Sequence, residues 1–352
     1  MLNNYHPEKD KEPGAFEWWY TDTDLDNGYT LNITFFHTDY TGPRYLDYLH
    51  NYLKDPTLPY NALDYANVKM SLSGRDGNLL FFGDKDFTAD QVRISKDSVE
   101  GSWGDKCFIK TVKTDRLPQM FMDVEIEDGQ GNTGKAKVVF TPIVEGVKIG
   151  RGAPMDTVIN GRRLYHHWVV AMPTARVKVD MTITHADGKK TQVKETGFGY
   201  HDHNWGNHPL PQTHNKWYWG RIAEPDMTFI FASVWNLIDD YPTYKPCVFT
   251  YKEDIIASTE EIELIENNVI TGLQDLKYTT EPVIRFLEGS GIKGEVSIKN
   301  LEFLSQLECY LRFTGEYSMD VETSAGRIKR KGKSMFEYMD LSEMVRRKTA
   351  KA

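Results

Sequence analysis

Short segments in which apolar and polar residues alternate, separated by turn residues, recur along the whole chain of 352 residues. A period of two puts successive side chains on opposite faces of a β-strand, and segments of about 5–8 residues are typical of strands. The clearest case is near the start, where Leu31, Ile33 and Phe35 alternate with polar residues after Asn27-Gly28. That dipeptide strongly favours a two-stranded hairpin. The pattern predicts an all-β protein.

The length predicts two domains, because single hydrophobic cores stop growing at roughly 250–300 residues. Both halves show the same strand-and-turn rhythm, and a polar stretch with Pro209 and Pro211 lacks any periodicity. This stretch is the candidate linker, and its histidines, His208 and His214, are expected to be exposed or to pack within it. We therefore predict two tandem antiparallel β-barrel or sandwich domains at 1–210 and 211–352.

Two segments depart from the strand pattern. Residues 40–65, rich in Tyr, Pro and Asp, predict a long loop or covering segment. The C-terminal residues from Leu341 onward predict a short helix, with Ser342 as the N-cap and basic residues toward its end.

Composition excludes several classes of function. The net charge of -9 argues against a nucleic-acid partner, which draws on clustered Lys and Arg. The polar start and the absence of any run of ~18 apolar residues predict no signal peptide and no membrane span, so a cytoplasmic protein is expected.

Cys107, Cys247 and Cys309 are odd in number and far apart, which predicts reduced, buried thiols. A small-molecule ligand and a monomer or homodimer are expected.

The stretch Glu195–Trp219 carries the strongest functional signal. It combines four histidines, three tryptophans and Asp202, with almost no aliphatic residues. Ionisable groups beside large π-surfaces suit either a proton-transfer site in an apolar pocket or an aromatic binding site.

Strand alternation indicates which side chains share a face. His166 and Trp168 lie on one face of their strand, and Tyr200, Asp202 and Asn204 lie on one face of a later strand. We interpret these segments as the first and third strands of a three-strand meander, interrupted after the first strand by Met-Pro-Thr. If the two flank the second strand with aligned polar faces, their side chains converge in one cavity.

The opposite face of the later strand carries His201, His203 and Trp205. The His-x-His pair suggests a metal site, but no third and fourth ligand follows at metalloenzyme spacing, so no metal is predicted. Neither a Gly-rich phosphate cradle before a helix nor a Gly-x-Ser-x-Gly elbow occurs. No cofactor is predicted.

A site of this make-up has a specific chemistry. A carboxylic acid in an aromatic pocket has its pKa raised by desolvation, so Asp202 is expected to stay protonated and to act as a proton donor. Protonating a carbon–carbon double bond creates a carbocation, which Trp and Tyr faces stabilise by roughly 0.5–2 kcal/mol each. A neighbouring histidine can position or deprotonate the water that captures the cation.

Two motifs resemble those of the carotenoid 1,2-hydratase (hydroxyneurosporene synthase) family: Glu-Trp-Trp-Tyr at 17–20 and Tyr-His-Asp-His-Asn-Trp-Gly at 200–206. That family includes proteins resembling kievitone hydratase and is similar in fold to lipocalin-like Diels–Alderases. The resemblance implies two tandem lipocalin-like β-domains with a ligand cavity, over nearly the whole chain.

In these hydratases the functional residues are a His-x-Trp pair followed by Tyr-x-Asp, which fall here on His166, Trp168, Tyr200 and Asp202. The resemblance implies that Asp202 donates the proton, that Tyr200 and Trp168 steady the cation, and that His166 assists the acid or the water.

Three functions stay open at this point. The first is cofactor-independent, acid-catalysed hydration, cyclisation or isomerisation of an isoprenoid-like or polyene substrate. The second is a pericyclase that folds a linear polyene without acid chemistry, and the third is a lipocalin-like carrier. For the hydrophobic substrate, the predicted binding residues are aromatic or polar neighbours of the acid: Trp19, Asn204, Trp205, Trp217 and Trp219.

Overall fold

The computed structural model describes residues 4–96, 99–307 and 309–350, with residues 274, 305–307, 345 and 347–350 described by their backbone alone. The described chain is nearly all β, in two curled antiparallel sheets with a short C-terminal helix. This confirms the predicted fold class. Among the described residues the first sheet has twelve strands: β1 (Phe16–Leu25), β2 (Thr30–Phe36), β3 (Asn67–Ser73), β4 (Leu79–Asp86), β5 (Val92–Ile94), β6 (Glu100–Trp103), β7 (Cys107–Val112), β8 (Gln119–Glu127), β9 (Thr133–Pro142), β10 (Met155–Ile159), β11 (Arg162–Thr184) and β12 (Lys190–Gly206).

The second sheet has nine strands in the described part of the chain, and its strand order is β16-β15-β14-β13-β21-β20-β19-β18-β17. Its members are β13 (His214–Glu224), β14 (Met227–Asn236), β15 (Cys247–Tyr251), β16 (Asp254–Thr259), β17 (Ile262–Thr271), β18 (Lys277–Phe286), β19 (Lys293–Leu307), β20 (Tyr310–Thr323) and β21 (Gly326–Asp340).

The order of the first sheet, β4-β3-β2-β1-β12-β11-β9-β8-β7-β6-β5, places the N-terminal strand beside the strand near residue 200. The predicted hairpin of β1 and β2 is confirmed, and Gly28 in its turn has a φ of 84°, a region that favours glycine. Leu31, Ile33 and Phe35 all enter the hydrophobic core of this sheet. Cys107, Cys247 and Cys309 are all buried, as expected.

The predicted loop at 40–65 was wrong in part, because Pro43–Tyr52 forms helix α1. Proline at the first helical position favours a helix start. Tyr45, Leu46, Tyr48 and Leu49 recur at helical spacing and are all buried. The sequence does contain a signal for this helix: a proline followed by apolar residues at helical spacing.

The C-terminal helix α2 (Leu341–Ala350) is confirmed, but its cap is not the predicted Ser342. Asp340 Oδ1 accepts hydrogen bonds from the backbone amide of Glu343, at 3.0 Å, and from the hydroxyl of Ser342, at 2.7 Å. The last residue of β21 therefore caps the helix.

The chain separates into two compact units. One comprises the residues up to Val147 together with Asp156–Pro209, and the other comprises Lys148–Met155 and the chain from Leu210 onward. The short segment Lys148–Met155 is held within the second unit by the Tyr244 hydroxyl, which donates to the carbonyl of Ile149 at 2.8 Å. None of the described helices has the length and apolar character needed to cross a membrane.

The predicted three-strand meander was wrong, because its first two strands are the single strand β11 of 23 residues. Two register shifts, between Val170 and Met172 and between Met172 and Ala175, interrupt its pairing with β12. Such β-bulges bend a strand and add local twist. The Met-Pro-Thr interruption read from the sequence is this bulged segment, not a turn.

Candidate active site

The candidate site is built on β12, which pairs with β1 on one side and β11 on the other. Asp202 lies opposite Tyr20 of β1 and Val170 of β11, whereas Asn204 lies opposite Trp18 and Trp168. Directly opposed residues on antiparallel strands share a face. The face that carries Asp202 is named here the acid face.

The Asp202 carboxylate, only 6% exposed, is held by three side chains. Its Oδ2 accepts hydrogen bonds from the Trp168 indole Nε1 at 3.0 Å and from the Tyr200 hydroxyl at 2.8 Å. Its Oδ1 accepts a hydrogen bond from the Asn204 amide at 3.2 Å. The structure thus brings the predicted Trp168, Tyr200, Asp202 and Asn204 into direct contact.

His166 reaches this group through Asn204. Its Nε2 lies 3.0 Å from Asn204 Oδ1, and because a carboxamide oxygen only accepts, the histidine must donate from Nε2. Nδ1 is then the basic nitrogen of the ring. Burial lowers the pKa of His166 to about 3, against the opposing hydrogen bond to Asn204, so the imidazole is neutral near pH 7.

Aromatic rings surround this polar group. The Trp18 ring lies 5.9 Å from His166 and 4.9 Å from Tyr40, between ring centroids. The Tyr20 ring lies 6.2 Å from that of Tyr200, edge to face. Sequence reasoning missed Trp18 and Tyr20 because the two faces of β1 cannot be assigned to the acid face until its register with β12 is known.

A second carboxylate, Asp22, was also missed. It is fully buried on β1, directly opposite Tyr200, and its Oδ2 accepts a hydrogen bond from the Tyr20 hydroxyl at 3.1 Å. Asp22 and Asp202 are therefore diagonal neighbours on the acid face. Two nearby buried carboxylates resist being ionised together.

The opposite face of the same strands carries a different cluster, which we name the Glu17 cluster: His6, Lys9, Glu17 and His203. The Glu17 Oε1 lies 2.8 Å from His203 Nε2 and 3.2 Å from His6 Nδ1. The Lys9 ammonium donates to Glu17 Oε2. Burial would raise the pKa of Glu17, but Lys9 and the hydrogen bonds from the two histidines hold it well below its usual range.

His6, Glu17 and His203 could together hold a metal ion, since their ligand atoms all lie within 4.8 Å of one another. Sequence reasoning found only the His-x-His pair and missed the two ligands supplied by the N-terminal segment. The ammonium of Lys9 on the second oxygen of Glu17 opposes a divalent cation at this position. Lys9 serves as the counter-ion of the carboxylate in this structure.

Trp19 and Trp205, predicted to bind substrate, lie on this opposite face. Trp19 stacks on His203 with ring centroids 5.0 Å apart, and Trp205 stacks on His6 at 4.1 Å. The structure does not bring them to Asp202, because they occupy odd positions of strands whose even positions form the acid face. Trp217 and Trp219 lie on β13 of the second unit.

Three buried histidines predict that the fold is sensitive to acid. Burial lowers the pKa values of His166, His201 and His208 to about 3 each, from 6.5. Between these values the unfolded chain binds protons that the folded chain does not, so stability falls as the pH drops from 6.5 toward 3. Each histidine contributes up to about 1.4 kcal/mol per pH unit. Urea unfolding at pH 7.5, 6 and 5 should show this decline.

The variant His201→Asn checks the origin of the slope. His201 Nδ1 bonds the carbonyl of Tyr20 at 2.9 Å, and an asparagine amide can replace that donor without titrating. Its stability should depend less steeply on pH, whereas the control His185→Asn, at a half-buried histidine in a turn, should follow the wild type. Equal slopes for all three proteins would contradict the assignment.

Comparison with known proteins adds independent information. Residues 155–247, which include β11 and β12, match the family model described as carotenoid hydratase CrtC. The chain is 25% identical over 322 residues to a hydroxyneurosporene dehydrogenase of Chlorobaculum tepidum, covering 89% of this chain and 80% of that protein.

Two solved structures share the fold over nearly the whole chain. The crystal structure of CghA has a TM-score of 0.58 at 11% identity, covering 94% of this chain and 89% of that one. Kievitone hydratase from Nectria haematococca has a TM-score of 0.54 at 12% identity, covering 97% and 94%. The chain is thus similar to carotenoid hydratase CrtC over residues 155–247 and to the Chlorobaculum protein over most of its length, and it shares its fold with CghA and kievitone hydratase.

Proposed function

We propose that this protein is a hydratase-type lyase or cyclase that protonates a carbon–carbon double bond of a hydrophobic, isoprenoid-like polyene. The observation that carries the proposal is a buried carboxylate, Asp202, held by Trp168, Tyr200 and Asn204 on an aromatic sheet face. The match to a carotenoid hydratase model and the name of the Chlorobaculum relative, which concerns hydroxyneurosporene, support a polyene substrate.

Asp202 is the proton donor in this proposal. Burial and the neighbouring Asp22 favour its neutral form, whereas its hydrogen-bond donors favour the charged form that remains after proton transfer. Oδ2 accepts from both Trp168 and Tyr200, so we place the transferable proton on Oδ1. The three donors then stabilise the carboxylate produced in the reaction, which lowers the barrier to protonation.

The carbocation is stabilised by the rings around the acid. Trp18, Tyr20 and Trp168 present π-faces or edges on the acid face, and a desolvated cation over such a ring gains roughly 0.5–2 kcal/mol. Attack by an internal double bond closes a ring and moves the positive charge to another carbon, and loss of a proton from a neighbouring carbon then gives an alkene. Attack by water followed by loss of a proton from its oxygen gives an alcohol. In both outcomes Asp202 recovers a proton, directly or through solvent, and the substrate undergoes no net redox change.

His166 is a positioning residue in this proposal and does not donate the proton. A pKa of about 3 leaves it neutral, and its hydrogen bond to Asn204 orients the amide that contacts Asp202. Because the imidazole is a weak base here, the Asp202 carboxylate that has given up its proton is the group that takes the proton lost by an attacking water.

Turnover in D₂O tests the proposal. Terpenoid alkenes and linear polyenes are incubated with the full chain, and mass spectrometry locates deuterium in the product. Protonation from Asp202, which exchanges with solvent, should place one deuterium on carbon at the protonated position. Finished product incubated with enzyme in D₂O controls for later exchange. A product formed without a carbon–deuterium bond would refute acid catalysis.

Two other functions give distinct results in the same experiment. A pericyclase, which the acid face could serve by folding a linear polyene against its rings, yields product without deuterium. A carrier yields no product, and native mass spectrometry of the purified protein should then find an unmodified hydrophobic ligand.

A further inference from the structure

The pattern Tyr-x-Asp occurs twice on the acid face, on two paired strands: at 20–22 on β1 and at 200–202 on β12. In each copy the tyrosine hydroxyl donates a hydrogen bond to Oδ2 of the aspartate two residues later. The distance is 3.1 Å from Tyr20 to Asp22 and 2.8 Å from Tyr200 to Asp202. The first copy therefore repeats the geometry of the copy that carries the proposed acid.

The antiparallel register crosses the two copies. Tyr20 lies directly opposite Asp202, and Asp22 lies directly opposite Tyr200. Side chains paired in this way have Cβ atoms about 4.5–5.5 Å apart, and the two tyrosine rings lie 6.2 Å apart, edge to face. Tyr20 is therefore the side chain of β1 that faces the acid across the strand pair.

The four side chains differ in exposure. Asp22 and Tyr200 are 0% exposed and Asp202 is 6% exposed, whereas Tyr20 is only partly buried. A molecule on the acid face can therefore meet the Tyr20 ring but not the Asp22 carboxylate. Asp22 can act on that molecule only through its electric field or through Tyr20.

The charge of Asp22 follows from that of its neighbour. Two nearby buried carboxylates resist being ionised together, so the negative charge falls on Asp22 while Asp202 holds the proton that it donates. A hydroxyl that donates to a carboxylate is polarised by it, since hydrogen-bonded groups in a low dielectric polarise one another. The Tyr20 ring then gains electron density, and the electron-rich face of a ring is what attracts a cation.

We infer that Asp22 is a positioning residue that holds the Tyr20 hydroxyl and makes the Tyr20 ring the cation subsite of the acid face. This assignment rests on the proposed protonation by Asp202 and specifies where the resulting positive charge lies. The proton leaves Asp202, and the cation forms over the residue directly opposite. The same subsite should bind a quaternary ammonium group, which is attracted to an aromatic face and donates no hydrogen bond.

Binding of two isosteric probes measures this subsite without turnover. Trimethylgeranylammonium is a cation, and in its neutral isostere a tert-butyl group replaces the trimethylammonium group. Titration of the tryptophan fluorescence of the full chain gives both dissociation constants, and their ratio is the charge preference. Asp22→Asn, whose amide oxygen can still accept from Tyr20, should lower the charge preference about 3- to 10-fold, within the usual range for a cation over an aromatic ring. An unchanged affinity for the neutral isostere should show that the fold is intact.

Tyr20→Phe separates the polarised ring from the charge of Asp22 alone. It keeps the ring and the carboxylate but removes the hydroxyl between them, so it should lower the charge preference as Asp22→Asn does. The double variant should lose little more than either single variant, because both break the same link. Asp180→Asn, at an exposed aspartate bonded to Lys194, is the control and should keep the wild-type preference. An unchanged preference in Asp22→Asn or Tyr20→Phe, or losses that multiply in the double variant, would overturn the assignment.

Turnover in D₂O tests the proposed function separately from this assignment. Asp22→Asn should still place one deuterium on carbon, with kcat about 3- to 10-fold below wild type and KM unchanged, because the lost interaction is made with the cation and not with the substrate. Wild-type product without a carbon–deuterium bond would refute the acid chemistry at Asp202. Deuterated product formed by Asp22→Asn at the wild-type kcat would refute only the role of Asp22.

Discussion

Replacing Asp202 by asparagine should lower the rate of alkene turnover by about 10²- to 10⁴-fold, the usual contribution of a positioned general acid. An asparagine oxygen can still accept hydrogen bonds from Trp168 and Tyr200, which both bind Oδ2 of the aspartate. The variant therefore removes the proton and keeps most of the local structure. Initial rates on the substrate identified by the D₂O experiment measure the effect.

The matched control is Asp180→Asn, on the same strand pair but exposed and bonded to Lys194. It should turn over at the wild-type rate, and urea unfolding should show that both variants remain folded. The pericyclase alternative predicts the reverse pattern, in which Asp202→Asn keeps most of its activity and Trp18→Leu loses it. Wild-type rates in Asp202→Asn would remove the proposed acid.

Replacing Glu17 by glutamine should lower the free energy of unfolding by about 3–5 kcal/mol, the cost of breaking a buried ion pair from one side. Lys9 and Glu17 are both fully buried, so the substitution removes the nearer carboxylate from a buried ammonium and leaves it with Asp10, whose Oδ1 lies 3.7 Å away. Urea unfolding at pH 7.5 measures the loss. Glu100→Gln, at an exposed glutamate near Lys110, should change stability little.

A double-mutant cycle identifies the ion pair as the cause. Lys9→Met combined with Glu17→Gln removes both charges, so the double variant should lose less stability than the sum of the single variants. Additive losses would argue that Glu17 acts through packing alone. If a metal ion bound His6, Glu17 and His203 instead, EDTA would lower the wild-type unfolding midpoint.

The Glu17 carboxylate also makes the free energy of unfolding depend on pH, and the direction follows from its lowered pKa. The pKa of Glu17 is well below its ordinary value of 4.5 in the folded chain. Its contribution to stability is therefore complete above pH 4.5 and is lost as the pH falls toward the folded pKa. Glu17→Gln should weaken this acid-induced loss below pH 4.5.

The fold class, and the grouping of the four candidate site residues, could be predicted from the sequence because both depend on alternation. The period of two identified the strands, and it also put His166 with Trp168 and Tyr200 with Asp202 on common faces. The family resemblance pointed to the same four residues. Each of these inferences uses positions close together in one strand.

What could not be predicted depends on pairing between distant strands. The register of β1 against β12 brings Tyr20 and Asp22 to the acid face and turns Trp19 away, and no local pattern determines that register. The ligands that complete the Glu17 cluster come from the N-terminal segment, nearly two hundred residues before His203. Helix α1 was hidden by a composition of Tyr, Pro and Asp that is typical of loops.

The bulged segment of β11 has a further consequence for how this strand tolerates change. From Val170 to Ala175 the strand advances five residues while its partner advances three, from Asp202 to Gly199. One extra residue alone would move every later side chain of β11 to the opposite face of the sheet. The second extra residue reverses that exchange, so the side chains on both sides of the bulged segment keep their faces relative to β12. Insertion or deletion of one residue here would turn one part of β11 over. Either Trp168 would leave the acid face, or the residues after Ala175 that belong to the core would point away from it. Length variation in this segment should therefore be accepted only in steps of two.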